Sequence, residues 1–242
     1  MTAGSNIETE ATARAAALAK AYGALDALAL LRAMITREFP GKLALTSSFG
    51  AEAAVLLDLV ATVDPKTPVL FLDTQKLFGE TLRYRDALVA RLGLTNVQVL
   101  RPDAAELAAE DREGTLWSTD YDACCDLRKV RPLERALAGF DAWVTGRKRF
   151  HGETRSALPT IEAEAGKIKI NPLAGWTEAD IATAFKERDL PPHPLVAEGY
   201  LSIGCMTCTR RVHPGEDARA GRWSESDKTE CGIHKAHWAG NP

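Results

Sequence analysis

The chain has 242 residues, 45% of them hydrophobic and 26% charged, and a net charge of −3, which is ordinary for a folded globular protein and gives no overall attraction to nucleic acid or anionic membranes. No apolar run reaches the roughly 20 residues of a membrane helix, and the alanine-rich start lacks the basic and apolar parts of a secretory signal. We therefore expect a cytoplasmic protein that binds neither membrane nor nucleic acid and that, in a reducing compartment, has no structural disulfides.

Strand and helix patterns alternate along most of the chain. The first two predicted elements are alanine- and leucine-rich helices at 12–23 and 25–39, and Pro40-Gly41 ends the second. Further helices are predicted at 51–60, 79–92, 103–110, 123–138 and 177–188. Short apolar strands are predicted at 42–47, 68–72, 96–100 and 142–145, with a weaker strand pattern at 167–170. This alternation favours an α/β fold in which a parallel sheet is flanked by helices.

Composition divides the chain into N-terminal helices at 1–40, an α/β domain at 41–189 and an irregular C-terminal segment at 190–242. Prolines and glycines interrupt this last segment, which also holds three of the five cysteines, so we expect it to carry chemistry. Ligands of parallel sheets lie at the carboxyl ends of the strands. The candidate site loops are therefore 47–50, 73–74 and 146–155.

Four of the five cysteines form two close pairs. Cys124 and Cys125 are adjacent at the start of a predicted helix, and Cys205 and Cys208 form a Cys-x-x-Cys after Gly204. Four thiolates suit an iron–sulfur cluster or a Cys₄ zinc site. Adjacent cysteines reach two corners of a cubane more easily than one tetrahedral ion, so the pattern favours the cluster. Zinc and, for the adjacent pair, an ordinary buried position without metal are the alternatives.

The fifth cysteine, Cys231, lies in a polar C-terminal stretch, Glu-Cys-Gly-Ile-His, that ends at His234. Gly232 gives the backbone freedom, and the imidazole of His234 is close enough in sequence to assist a thiolate. Cys231 is therefore a candidate nucleophile. An exposed thiol without a function is the alternative.

Hydroxyl-bearing and cationic residues recur near the predicted strand ends. The loop Ser47-Ser48-Phe49-Gly50 joins a strand to a helix, where hydroxyls and backbone N–H groups can face an anion, although a plain helix cap explains this loop equally simply. In an acidic protein, cationic clusters favour a small polyanion such as phosphate or sulfate over DNA, with solvated surface charge as the alternative for any single residue. The cationic residues are Arg128, Lys129, Arg147, Lys148, Arg149, Arg155, Arg210, Arg211, Arg219 and Arg222.

In order along the chain, these motifs resemble those of the APS/PAPS reductase family of assimilatory sulfate reduction, from about residue 42 to residue 234. The motifs are Ser47-Ser48-Phe49-Gly50-Ala51-Glu52, Leu72-Asp73-Thr74, Cys124-Cys125 with Arg128-Lys129, Thr145-Gly146-Arg147, Thr154-Arg155, Cys205-x-x-Cys208-Thr209-Arg210 and Glu230-Cys231-Gly232-Ile233-His234. The Cys-Cys and Cys-x-x-Cys set together with Glu-Cys-Gly-Ile-His is the most specific part. The loop at 147–155 departs from the Gln-Ser-Pro stretch that many relatives have there.

The resemblance implies an adenine nucleotide α-hydrolase-like (PP-loop related) fold and thioredoxin-dependent reduction of adenylylsulfate (APS) to sulfite and AMP, through an S-sulfocysteine on Cys231 assisted by His234. It also implies a 4Fe–4S cluster on Cys124, Cys125, Cys205 and Cys208. By the same resemblance, the nucleotide pocket is lined by Ser47, Phe49, Leu72, Thr74 and Gly146. The phosphate and sulfate are held by Lys129, Arg155, Arg219, Arg222 and His234.

Three other functions compete with this interpretation. The same chemistry could act on 3′-phosphoadenylylsulfate (PAPS), although the cysteine pair favours APS within the family. A zinc-binding nucleic-acid module is disfavoured by the sequence pI near 6.0 and by the lack of basic stretches studded with aromatic residues. An ATP-dependent PP-loop ligase is disfavoured because its Ser-Gly-Gly phosphate loop is absent. A homo-oligomer is compatible with the sequence.

Overall fold

The computed structural model describes residues 3–152, 155–224, 228 and 230–234. A six-stranded sheet crosses the molecule in the order β3-β2-β1-β4-β6-β5. All neighbouring strands are parallel except β5, which runs antiparallel to β6. The strands are β1 (Leu43–Ser47), β2 (Val69–Leu72), β3 (Val97–Leu100), β4 (Ala142–Val144), β5 (Ile161–Glu164) and β6 (Lys167–Ile170).

Helices flank the sheet, which confirms the predicted α/β class. The α-helices are α1 (Ala3–Tyr22), α2 (Ala27–Ala33), α3 (Ala53–Val63), α4 (Gly79–Leu92), α5 (Ala104–Glu110), α6 (Leu116–Thr119), α7 (Tyr121–Cys125), α8 (Arg131–Leu137) and α9 (Glu178–Glu187). Single π-helical turns follow α2 at Met34–Glu38 and α7 at Asp126–Val130. In the part of the chain that the structure describes, no helix has the length and apolar character needed to cross a lipid bilayer.

The central strands are buried on both faces, and their side chains alternate between two cores. Leu45 and Phe71 point into the larger core, which α1, α2, α3, α4 and α9 help to fill, whereas Ala44, Leu70 and Trp143 point into a smaller core beneath α8. Such two-sided burial explains why these strands read as nearly continuous apolar runs in the sequence. The arrangement leaves the carboxyl ends of β1, β2 and β4 at one edge, where the polar loops emerge.

Several element predictions need correction. Strand β5 was not predicted, because its sequence Ile-Glu-Ala-Glu carries only one large apolar residue. It pairs with β6 through a tight hairpin in which Ala165 and Gly166 have positive φ angles of 52° and 71°. Helix α1 begins at Ala3, nine residues before the predicted start at Thr12. The predicted helix at 123–138 begins at Tyr121 and contains the π-helical turn.

The C-terminal segment is irregular, as its composition predicts, and contains short 3₁₀ turns at Pro194–Glu198, Met206–Cys208 and Gly232–His234. Isolated bridges join Leu77 to Cys205 and Thr209 to Arg222. The first bridge holds the segment against the loop that follows β2, and the second lies within the segment.

Candidate functional site

A pocket opens at the carboxyl ends of β1, β2 and β4, beneath the C-terminal segment. Eleven of the predicted site residues line it: Ser47, Leu72, Thr74, Lys129, Gly146, Arg155, Cys205, Arg219, Arg222, Cys231 and His234. The remaining predicted residues lie outside its lining: Phe49, Cys124, Cys125 and Cys208. Thr154, from the same set of motifs, lies outside the described residues.

A hydrogen bond and a left-handed residue within the loop after β1 fix the conformation of this loop. The backbone N–H of Phe49 donates to the Ser47 hydroxyl at 3.2 Å, and Phe49 adopts a left-handed φ of 49°. The Phe49 ring is fully buried and meets Phe71 edge-on at 5.3 Å, so Phe49 supports the pocket from below. At Gly50 an added Cβ would lie 3.1 Å from the Ile203 carbonyl oxygen, and glycine therefore lets the C-terminal segment approach.

Three cations, Lys129, Arg219 and Arg222, meet on the side of the pocket formed by the C-terminal segment. Arg222 lies with its guanidinium carbon 4.4 Å from the centre of the Trp223 ring, and its buried Nε has no hydrogen-bond partner among the described residues. Burial, together with the nearby charge of Arg155, lowers the pKa of Arg219 to about 10. Positive charge held close together out of water creates a strong site for an anion.

Cys231 lies against this cationic wall. Its side chain is half-buried and neighbours the thiol of Cys125 and the ammonium of Lys129. With Cys125 protonated, a hydrogen bond from its thiol lowers the pKa of Cys231, burial opposes this effect, and the charges of Lys129 and Arg222 lower the pKa further. The two charges remain when Cys125 is a thiolate and has no proton to donate. The arrangement favours a thiolate, which is the reactive form of a nucleophilic cysteine.

His234 lies deeper in the pocket, and its buried Nδ1 has no hydrogen-bond partner among the described residues. Burial lowers the pKa of His234 well below its ordinary value, and the cations Lys169 and Arg147 lower it further. The imidazole is therefore neutral near pH 7. It can donate one hydrogen bond and accept another, and it does not add a further positive charge to the pocket.

Lys129 connects the nucleophile to the other cysteines. Burial alone would lower its pKa, but the sulfurs of Cys205, Cys231 and Cys125 raise it above its ordinary value. On the far side, burial raises the pKa of Cys124, and charge on Cys205 and Cys208 raises it further. The four cysteines other than Cys231 therefore form one sulfur-rich region, in which Cys205 lines the pocket and the other three lie behind it.

This region has the donors that an iron–sulfur cluster needs. Cys205 lies 3.2 Å from the Thr74 hydroxyl, measured from Sγ to Oγ1, and Arg128 lies close to Cys124 with a buried Nε that has no partner within the described part of the chain. Soft thiolates with buried N–H and O–H donors around them suit a cluster better than a hard cation. Among the described residues, no three His, Cys, Asp or Glu side chains converge tightly enough for a single metal ion.

Comparison with known proteins identifies the family. Residues 42–211 match the family described as the phosphoadenosine phosphosulfate reductase domain. The chain belongs to this reductase family. The adenosine 5′-phosphosulfate reductase of Mesorhizobium japonicum is 54% identical over 92% of this chain and 87% of its own length.

Solved structures extend the comparison to the fold of the reductase family. A phosphoadenylyl-sulfate (PAPS) reductase from Candida auris superposes with a TM-score of 0.68 and 31% identity, over 79% of this chain and 94% of its own. Yeast FAD synthetase superposes with a TM-score of 0.54 at 16% identity, over 84% and 75% of the two chains. The latter likeness concerns the fold alone and confirms the predicted adenine nucleotide α-hydrolase-like architecture.

Sequence reasoning assigned no role to several residues of the site. Glu52 lines the pocket next to the buried Lys148, whose Nζ lies 2.5 Å from its carboxylate, and His151 lies 3.2 Å from the same oxygen. Burial opposes ionisation, but hydrogen bonds from His151 and the charge of Lys148 lower the pKa of Glu52 to about 2. The sequence also assigned no role to Glu230, which contacts Arg155 and Cys231, or to Trp143, which stacks on His234. Nothing in the spacing of these residues signals their contacts, which join segments distant in sequence.

Proposed function

We propose that this protein reduces adenosine 5′-phosphosulfate to sulfite and AMP in sulfate assimilation and cysteine biosynthesis, with a thioredoxin-type dithiol of the cytoplasm as reductant. The observation that carries the proposal is the position of Cys231, a thiol with a lowered pKa at a wall of three cations, in a pocket at the carboxyl ends of parallel strands. Sulfate bound at that wall would present its sulfur to the thiolate. The close relatives with the same activity in their names support the proposal.

In the proposed first step, the Cys231 thiolate attacks the sulfur of the sulfate group. The bond from that sulfur to the bridging phosphate oxygen breaks, and AMP leaves with the electron pair. The product is an S-sulfocysteine on Cys231. One thiolate of the dithiol then attacks the Cys231 sulfur and releases sulfite, and its second thiol resolves the mixed disulfide, so the dithiol becomes a disulfide and Cys231 is restored.

The cationic wall lowers the barrier of the first step for an electrostatic reason. A thiolate approaches a sulfate that already carries negative charge, and further charge develops on the leaving phosphate. Lys129, Arg219 and Arg222 oppose this repulsion from partly buried positions, and one such donor aimed at developing charge is worth about 3–4 kcal/mol. Neutral His234 would contribute a hydrogen bond to the same anion.

The opposite side of the pocket would hold the nucleoside. Leu72 and Thr74 end β2, and Ser47 ends β1, where hydroxyl and apolar surface lie side by side. Among the described residues, a Leu56 methyl carbon at 3.6 Å is the one atom close to the position that a Cβ on Gly146 would take, which leaves room for a flat ring system. The fully buried ring of Phe49 supports this floor from below.

The proposal includes a 4Fe–4S cluster on Cys124, Cys125, Cys205 and Cys208. When bound, the cluster would supply a fixed anchor and a local electrostatic field, and the reducing equivalents would come from thiols. Lys129 lies between these sulfurs and Cys231, so its ammonium would link the two groups of sulfurs electrostatically.

The decisive experiment is a single-turnover reaction of anaerobically purified protein with adenosine 5′-phosphosulfate. Mass spectrometry of the Cys231 peptide should find an adduct with the mass of SO₃, and added thioredoxin should release it as sulfite. Cys231→Ser should form no adduct and still bind AMP. Sulfite release by Cys231→Ser at the wild-type rate would exclude this mechanism. Running 3′-phosphoadenylylsulfate in parallel tests the alternative substrate.

A further inference from the structure

Glu230 directly precedes the nucleophile, and its carboxylate contacts Arg155, the main chain of Cys231 and, at 3.7 Å, the guanidinium of Arg219. Its carboxylate receives both arms of the Arg155 guanidinium, with Nε and Nη2 each 2.7 Å from an oxygen. One of those oxygens, Oε1, also accepts the backbone N–H of Cys231 at 2.9 Å. The carboxylate therefore joins a residue of the loop after β4 to the main chain of Cys231 itself.

We propose that Glu230 is a positioning residue, which fixes the main chain of Cys231 to Arg155 and so sets where the thiolate stands over the pocket. The inference deepens the proposed function, since it rests on Cys231 as the nucleophile. Arg155 thereby anchors the C-terminal tail, defined here as residues 228 and 230–234. Arg155 also lines the pocket, so this role adds to the anion contact that the resemblance implies.

The ion pair between Arg155 and Glu230 is buried, so solvent weakens it less than it weakens a pair on the surface. The Arg155 side chain is 6% exposed and that of Glu230 15%, and forked charge pairs of this kind are strong and directional. A sulfate that displaced Glu230 from Arg155 would leave the buried carboxylate with only the longer contact to Arg219 among the described cations, and breaking a buried ion pair is strongly destabilising. The pair is therefore expected to persist when substrate binds.

Further contacts hold the tail in the described part of the chain, among them the stack of His234 on Trp143, but none of those side chains bonds to the backbone N–H of Cys231. The Lys228 ammonium pairs with Asp122, and Ile233 packs against the smaller core that contains Leu72 and Trp143. These contacts keep the tail on the protein. Among the described residues, the side chain that accepts a hydrogen bond from the backbone N–H of Cys231 is that of Glu230.

Alkylation of Cys231 by iodoacetamide, followed by mass spectrometry in the cluster-loaded protein, separates positioning from simple electrostatics. Removing the negative charge in Glu230→Gln should make the thiolate easier to form, whereas removing the positive charge in Arg155→Leu should make it harder to form. Charge effects alone therefore move the two rates in opposite directions. Loss of positioning frees Cys231 in both variants, and we expect both to react about 10-fold faster or more.

Glu216→Gln is the matched control, because Glu216 receives a similar fork from Arg210 in the same segment but does not line the pocket. It should alkylate at the wild-type rate. Opposite changes in Glu230→Gln and Arg155→Leu, or no change in either, would overturn the proposal. Far-UV circular dichroism and the cluster absorption check that each variant is folded, and Glu230→Asp provides a second, milder displacement of the carboxylate.

Kinetics and AMP binding complete the test. Displacement of a nucleophile by about 1 Å costs about 100-fold in rate, so Glu230→Gln should lower kcat about 10- to 100-fold and leave KM within about twofold. Glu230→Gln should bind AMP within about twofold of wild type, because its carboxylate does not bind the substrate anion. A 10-fold loss of AMP affinity in Glu230→Gln would show that the carboxylate organises the anion site instead of Cys231, and would refute its assignment as a positioning residue. Alkylation and AMP binding need no turnover. They therefore test the positioning role of Glu230 even if the wild-type protein fails to reduce adenosine 5′-phosphosulfate.

Discussion

The imidazole of His234 lies nearly parallel to the indole of Trp143, with 14° between the ring planes and 6.2 Å between their centroids. Trp143 is the middle residue of β4, and the ammonium of the fully buried Lys169 on β6 lies 4.6 Å from the centroid of the same indole. Lys169 in turn pairs with Glu164 on β5. The tail histidine therefore rests on an aromatic surface that the sheet holds in place.

This stack predicts that Trp143 acts on the reaction through His234. Trp143→Leu should lower kcat about 3- to 10-fold, since an aromatic pair contributes about 0.5–1.5 kcal/mol beyond its buried area. Trp143→Phe keeps a ring in place and should lose less. Steady-state rates of both variants, alone and combined with His234→Asn, form a double-mutant cycle. Independent, additive losses for Trp143→Leu and His234→Asn would show that the stack has no part in turnover.

Lys129 is the cation that lies between Cys231 and the other cysteines, so its loss should affect the chemical step. Lys129→Met should lower kcat about 100-fold, the usual cost of one donor at developing charge. Lys76→Met is the control, because the Lys76 ammonium bonds to the Gly114 carbonyl at 2.8 Å outside the pocket. Retained cluster absorption confirms that Lys129→Met is intact. A variant that keeps more than half of the wild-type kcat would remove Lys129 from the anion site.

Removal of a cluster ligand should separate the two groups of cysteines. Cys205→Ser should lose iron, acid-labile sulfide and the visible absorption of the cluster, because a hydroxyl ligates iron weakly. Cys231→Ser should keep all three and lose only the adduct. Iron and sulfide analysis of both proteins, prepared without oxygen, makes the comparison. Equal iron in Cys205→Ser and wild type would exclude Cys205 as a ligand.

The fold was predictable to the extent that burial is periodic in the sequence. Strands β1 and β2 are short apolar runs because both of their faces are covered, and their pattern gave their positions to within one residue. Strand β5 was missed because it lies at the edge of the sheet, where alternating glutamates replace the apolar residues. Its hairpin turn at Ala165-Gly166 was the available signal.

Site residues could be predicted from the sequence where the residue type is rare and clustered. They could not be predicted where the residue type is common. Clustered cysteines are rare enough to indicate a function from spacing alone, and all five lie in or directly behind the pocket wall. Glu230 and Glu52 are common charged residues, and their importance comes from partners 75 and 96 positions away. Such contacts depend on the folded backbone, so no local pattern signals them.

A buried histidine away from the pocket should make stability depend on pH. The His193 side chain is buried beside Tyr84, its Nε2 lies 3.1 Å from the Thr81 hydroxyl, and its Nδ1 accepts the Leu195 N–H at 3.2 Å. Burial lowers the pKa of His193 to about 4, although the charge of Glu80 opposes this effect. The folded protein therefore keeps the imidazole neutral where the unfolded chain, with an ordinary pKa of about 6.5, takes up a proton.

The sign of the effect follows from this difference. Between pH 6.5 and pH 4 the unfolded chain binds more protons than the folded protein, so acid favours unfolding, and each pH unit costs about 1.4 kcal/mol. His193→Asn keeps an acceptor for the Leu195 N–H and does not titrate. Urea unfolding at pH 7 and pH 5 should show that wild type loses about 2 kcal/mol more stability than this variant, whereas other titrating groups affect both proteins alike. Equal losses in the two proteins would mean that His193 takes up its proton without unfolding, and that its burial does not hold it neutral.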